Sequence, residues 1–150
     1  MSTSDYLHPL GQITANFSHL EADVSGLIWS LIGDDKKIGQ IVTVQLSFSK
    51  LLDTLSSLFR HKVKDKGLVD ELDGLIKRAQ EINDKRNKFV HSVWFAGHPN
   101  TLRRVKLKAG RKKGLQMESQ DMDEEELRQF GNEIFSFILT IEEFRVKADL

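Results

Sequence analysis

The chain has 150 residues, 39% hydrophobic and 29% charged, and its 22 basic and 22 acidic residues cancel to zero net charge. This length and composition suit one soluble globular domain with a sizeable core, and the balance of charge excludes a global attraction to nucleic acid or membrane, leaving such binding to a local patch. The absence of cysteine excludes disulfides, thiolate metal sites and a cysteine nucleophile.

The first twelve residues carry neither a basic stretch nor a long apolar run, so no secretory signal is expected. No apolar run approaches the ~20 residues needed to span a bilayer. The expectation is a cytoplasmic protein with no membrane partner. From Ile13 the apolar residues Ile13, Phe17, Leu20, Val24, Leu27 and Leu31 step by four and three, one stripe of a helix that Gly33 stops. The opposite side carries small residues, among them Ala22 and Ser25, and ends in Trp29. Two readings fit: a central helix with neighbours on both sides, or a subunit interface formed by Trp29, Ala22 and Ser25 in a homodimer.

The next apolar face, Phe48, Leu51, Leu55, Leu58 and Phe59, follows Ser47, a plausible N-cap, so a short helix should precede a longer one. A charged connector leads to a third long helix from about residue 68. Its seam reads Leu68, Leu72, Leu75, Ala79, Ile82, Arg86, Phe89 and Val93. Beyond His91 the pattern changes to β-branched and aromatic residues. The stretch Gly97–His98–Pro99–Asn100 has turn chemistry, and Val105, Leu107 and Ala109 alternate with Arg104, Lys106 and Lys108. Two or three short antiparallel strands are expected over about 92–118. Asp121 or Asp123 should cap a last helix whose seam is Leu127, Phe130, Ile134, Phe137, Ile141 and Phe144. The predicted fold is mainly α: one domain over 1–150, a bundle of four to five helices with a small antiparallel β excursion before the last.

Arg86 breaks the apolar row of the third helix. A buried charge without a partner costs several kcal/mol, and breaks in a pattern are expected at functional sites. His91 lies five residues on, which on a straight helix turns it about 140° away from Arg86. The two can meet if the helix ends or distorts near Phe89, or if a second copy of the chain completes the pair.

The stretch Arg86-Asn87-Lys88-Phe89-Val90-His91 resembles the motif of the HEPN superfamily, helical-bundle proteins that include many RNases of prokaryotic defence and toxin–antitoxin systems. Members typically dimerise and cut RNA without a metal. The resemblance implies His91 as acid/base, Arg86 as the group that steadies phosphate charge, and Asn87 as its assistant. It implies a homodimer, RNA as substrate, no cofactor, and a protein partner that restrains activity. Histidine can move a proton near neutral pH, arginine can fork onto phosphate oxygens, and RNA supplies its own 2′-hydroxyl nucleophile. The chain departs from the family where many members place an aromatic residue two positions after the histidine: Val93 stands there and Trp94 follows.

Arg103, Arg104, Lys106, Lys108, Arg111, Lys112 and Lys113 fall in one stretch without an acid. As a ribbon they could track a phosphate backbone; equally, lysines on a strand keep a sheet edge from aggregating. No glycine-rich phosphate loop follows a strand, and His8, His19, His61 and His98 show no metal-ligand spacing. The functional expectation is a metal-independent RNA endonuclease of HEPN type. The alternative is a non-catalytic helical module that dimerises or binds protein or RNA.

Overall fold

The computed structural model describes residues 3–96 and 101–150, with side chains from residue 7 onward. The turn expected at Gly97–Asn100 therefore lies outside the described residues, as does His98. Five helices and three strands follow in the order α1 (Thr3–Ile32), α2 (Lys36–Thr43), α3 (Phe48–Lys62), α4 (Lys66–Val90), β1 (Val93–Ala96), β2 (Leu102–Gly110), β3 (Gly114–Met122) and α5 (Glu124–Lys147). The fold is mainly α, with a small antiparallel sheet before the last helix. No helix among the described residues is long and apolar enough to cross a membrane.

The chain forms two compact units, Met1–Phe17 with Asp84–Ile134 and Ser18–Asn83 with Phe135–Leu150. In the second unit the repeated four-and-three spacing buries Leu20, Val24 and Leu27 from α1, Leu51, Leu55 and Phe59 from α3, and Phe137, Ile141 and Phe144 from α5. Phe59 and Phe144 pack ring to ring at 5.6 Å. Local polar chemistry ends the helices where the sequence indicates. Gly33 adopts φ 123° after α1, a value that suits a residue without Cβ. Ser47 accepts the Lys50 N–H at the start of α3, and Asp35 accepts the Lys37 N–H at the start of α2.

In the first unit α5 opens with a reciprocal cap. Asp123 accepts the Glu126 N–H at 2.7 Å, and the Glu126 carboxylate accepts the Asp123 N–H at 2.9 Å. Phe89 of α4 sits edge-on to Phe130 of α5 at 5.2 Å and to Trp94 of β1 at 6.0 Å. Trp94 donates its indole N–H to the Phe89 carbonyl. The sheet has strand order β1-β2-β3 with antiparallel register, Val93 opposite Val105 and Leu107 opposite Met117.

Three boundaries differ from the sequence reading. Helix α1 begins at Thr3, ten residues before the apolar stripe, and holds Pro9 within it. Proline lacks an N–H and costs a helix one backbone bond, but its ring is buried here. Val93, the last residue of the expected α4 seam, lies in β1 and is largely exposed. The sheet runs on to Met122, past the expected limit near 118.

Candidate functional site

Helix α4 carries Arg86 and Asn87, both half-buried, in its last turns. The helix stays regular through Val90, and the His91 N–H still donates to the Asn87 carbonyl at 3.3 Å. A helix break near Phe89, one of the two routes by which Arg86 and His91 could meet, is therefore not what the chain adopts. Five residues of helical backbone separate them, so their Cα–Cβ directions diverge by about 140°.

The Arg86 guanidinium carbon lies 4.0 Å from the centroid of the Phe17 ring on α1. Phe17 is itself buried, so it forms a fixed platform. Stacking holds the guanidinium plane through its face, by a cation–π attraction. The residue before it on α4, Lys85, covers the Phe130 ring at 4.4 Å and pairs with Glu133 at 3.7 Å. His91 is exposed in the turn between α4 and β1. Its neighbour Ser92 donates to the Lys88 carbonyl and accepts from Arg104.

The seven basic residues of the ribbon separate into two groups. Arg103 forks onto Asp121 through two bonds of 2.7 and 3.0 Å. Arg104, only 3% exposed, donates to Gln120 at 2.9 and 3.1 Å, to Ser92 at 3.4 Å, and to Glu118. Lys108 reaches the other oxygen of Glu118 at 2.7 Å. The hydrogen bonds from Lys108 and then Arg104 hold the Glu118 carboxyl well below the usual carboxylate range, at about 2. These three cations are occupied within the sheet. Lys106 is half-buried on the same face, and Arg111, Lys112 and Lys113 are exposed at the hairpin tip.

The Trp29 side of α1 meets α2 of the same chain. The indole N–H donates to Thr43 at 2.9 Å, and Gly39 lies so close that a Cβ there would sit 2.6 Å from the ring. Ala22, Ser25 and Trp29, the residues expected at an interface, line an open cavity of about 570 Å³ with Gln40, Thr43 and Val44.

Sequence reading did not find the polar links inside the second unit. Asn83 is buried and donates to Ser49, which donates to Gln80. The signal was available, because Gln80 and Asn83 are three apart beside the α4 seam. Asp23 is likewise withdrawn from water. Burial pushes its carboxyl up against the opposing pull of His19, 3.6 Å away, with Glu142 adding to the rise and Arg145 opposing it.

Comparison of the chain with known protein families, with curated proteins and with solved structures finds no match.

Proposed function

We propose that this chain is a metal-independent RNA endonuclease of HEPN type in which Arg86, Asn87 and His91 act in a cleft shared by two copies. The observation that carries the reading is the setting of Arg86. It is a charge inside an apolar helix row, braced by the Phe17 ring on one side and followed by an exposed histidine at the end of the same helix. In this reading His91 removes the proton of a ribose 2′-hydroxyl, whose oxygen attacks the adjacent phosphorus. The bond to the 5′-oxygen breaks, and that oxygen receives a proton from imidazole. The products are a 2′,3′-cyclic phosphate and a 5′-hydroxyl. Arg86 neutralises charge that builds on the phosphoryl oxygens, and Asn87 orients them. The divergence of Arg86 and His91 along a regular helix is why two copies are invoked.

The test is incubation of the purified chain and its His91→Ala variant with single-stranded and structured RNA in EDTA, reading product ends. Cleavage that leaves cyclic phosphate, lost in the variant, supports the reading. A folded parent that leaves RNA intact refutes it. A second reading, a non-catalytic interaction module, is favoured by the internal pairing of Arg103, Arg104 and Lys108, which leaves fewer charges for a nucleic acid backbone.

A further inference from the structure

The cavity beside Trp29 has no task in the nuclease reading. It lies wholly within the second unit, walled by α1, α2 and the first turn of α3. Its volume of about 570 Å³ falls inside the ~300–1,000 Å³ range of small-molecule sites. Ala22, Trp29, Val44 and Leu51 give it apolar walls. Glu21, Ser25 and Trp29 follow one another at four-residue steps along α1 and all line it, so each stands about one turn from the next.

Two polar side chains in that row have no partner among the described residues. Ser25 is only 9% exposed, lines the cavity, and its hydroxyl makes no hydrogen bond. A hydroxyl withdrawn from bulk water in this way is stabilised by a ligand that bonds to it. Glu21 is half-buried and forms no ion pair. It is also the one charge among the residues that line the cavity. The Trp29 indole N–H, a donor suited to an anion, is spent on Thr43, whose own hydroxyl donates to the Gly39 carbonyl at 2.9 Å.

We propose that this cavity binds a small organic cation, a primary ammonium group carried on an apolar body. The ammonium donates to the Glu21 carboxylate and the Ser25 hydroxyl, and the body lies against Trp29, Val44 and Leu51. An ammonium is a compact charge with three donors and no acceptor, which matches two acceptors one helical turn apart. An indole ring in the wall adds a cation–π preference for the charged ligand over a neutral one. The inference goes beyond the nuclease reading and uses none of its residues.

The test titrates the full chain at neutral pH with phenethylamine, hexylamine and tryptamine, followed by proton–nitrogen NMR. The neutral and anionic counterparts are 2-phenylethanol and 3-phenylpropanoate. Trp29 and Trp94 are the two tryptophans, and Trp94→Phe assigns their indole signals. Phenethylamine should shift the Trp29 indole signal saturably, with a dissociation constant of about 1 mM or below. The Trp94 signal, whose N–H is bonded to the Phe89 carbonyl in the other unit, should stay in place. The alcohol should bind on the order of 10-fold more weakly than the amine, and the carboxylate more weakly still. Glu21→Gln should abolish the preference for the amine over the alcohol. Ala22→Phe, at an exposed wall position that leaves the helix intact, should block every ligand. No saturable Trp29 shift with any of the three amines at about 10 mM overturns the inference. So does equal affinity for amine and alcohol, a preference that survives Glu21→Gln, or binding that Ala22→Phe leaves unchanged.

Discussion

Arg104 is buried and Arg86 half-buried, and their company differs. Arg104 sits in the sheet with its N–H groups spent on Glu118, Gln120 and Ser92. Arg86 sits on α4 with the face of its guanidinium over the Phe17 ring. A guanidinium closed by carboxylate and amide oxygens is a structural tie: it fixes β2 against β3 and presents little to a ligand. One braced through its face is held in place by a ring on a neighbouring helix. Withdrawal from water marks a charge as important without saying for what. The kind of partner separates the two cases.

The largest expected effect comes from the α4 side. Arg86→Ala and His91→Ala should each lower RNA cleavage by about 10²–10⁴-fold, the range for a lost acid/base or a lost oxyanion partner, while circular dichroism stays unchanged. Arg86→Lys should rescue little, since an ammonium neither stacks nor forks in the same way. Equal rates in parent and variants would erase the distinction between the two arginines.

On the sheet side the effect should fall on stability. Arg104→Ala removes a buried guanidinium with its bonds to Glu118, Gln120 and Ser92 and should cost about 2–3 kcal/mol in denaturant unfolding. Any loss of cleavage should disappear when rates are compared at conditions where the variant is folded. Phe17→Leu is the intermediate case. Replacing the buried ring should cost about 1–2 kcal/mol of stability, combining lost volume and lost cation–π attraction. It should also slow cleavage, because Arg86 loses its brace; a stability change with no change in rate would detach the platform from function.

The smallest effect is the pH dependence of the hairpin. Glu118 is held at about 2, below its ordinary value, by Lys108 and Arg104. A depressed carboxylate contributes stability that is present above the ordinary carboxylate range and lost as pH falls through that range toward 2. Melting temperature followed from pH 6 down should show this acid limb in the parent, and Glu118→Gln should flatten it. An unchanged slope would mean that the Arg104 network is not the closed tie described.

Much of this was legible in the sequence because helix spacing is a strong signal. The stripes from Ile13, Phe48 and Leu127, the stop at Gly33 and the caps at Ser47 and Asp123 all follow from residue type and spacing. The alternation of Val105, Leu107 and Ala109 with Arg104, Lys106 and Lys108 gave the strand but not its covered side. Alternation defines two faces and is silent on which meets the body, and here the apolar face is the open one. The N-terminal turns of α1 were hidden because proline reads as a breaker, although its ring packs in this helix. Trp29 allowed two readings, a helix with neighbours on both sides or a subunit interface. The eight residues of α2 pack against it within the chain, with Gly39 against the ring and Thr43 on the indole N–H. Arg86 and His91 were visible as a pattern, and what the structure adds is the Phe17 platform and the unbroken helix between them.

Complementation decides whether Arg86 and His91 act together across two copies. Arg86→Ala and His91→Ala chains are each assayed for RNA cleavage in EDTA, then unfolded, mixed in equal amounts and refolded together. Each variant alone should be inactive and the mixture should recover cleavage, because a mixed pair brings an intact arginine to an intact histidine. A mixture as inactive as its parts, or an unmixed variant as active as the parent, would contradict that joint action.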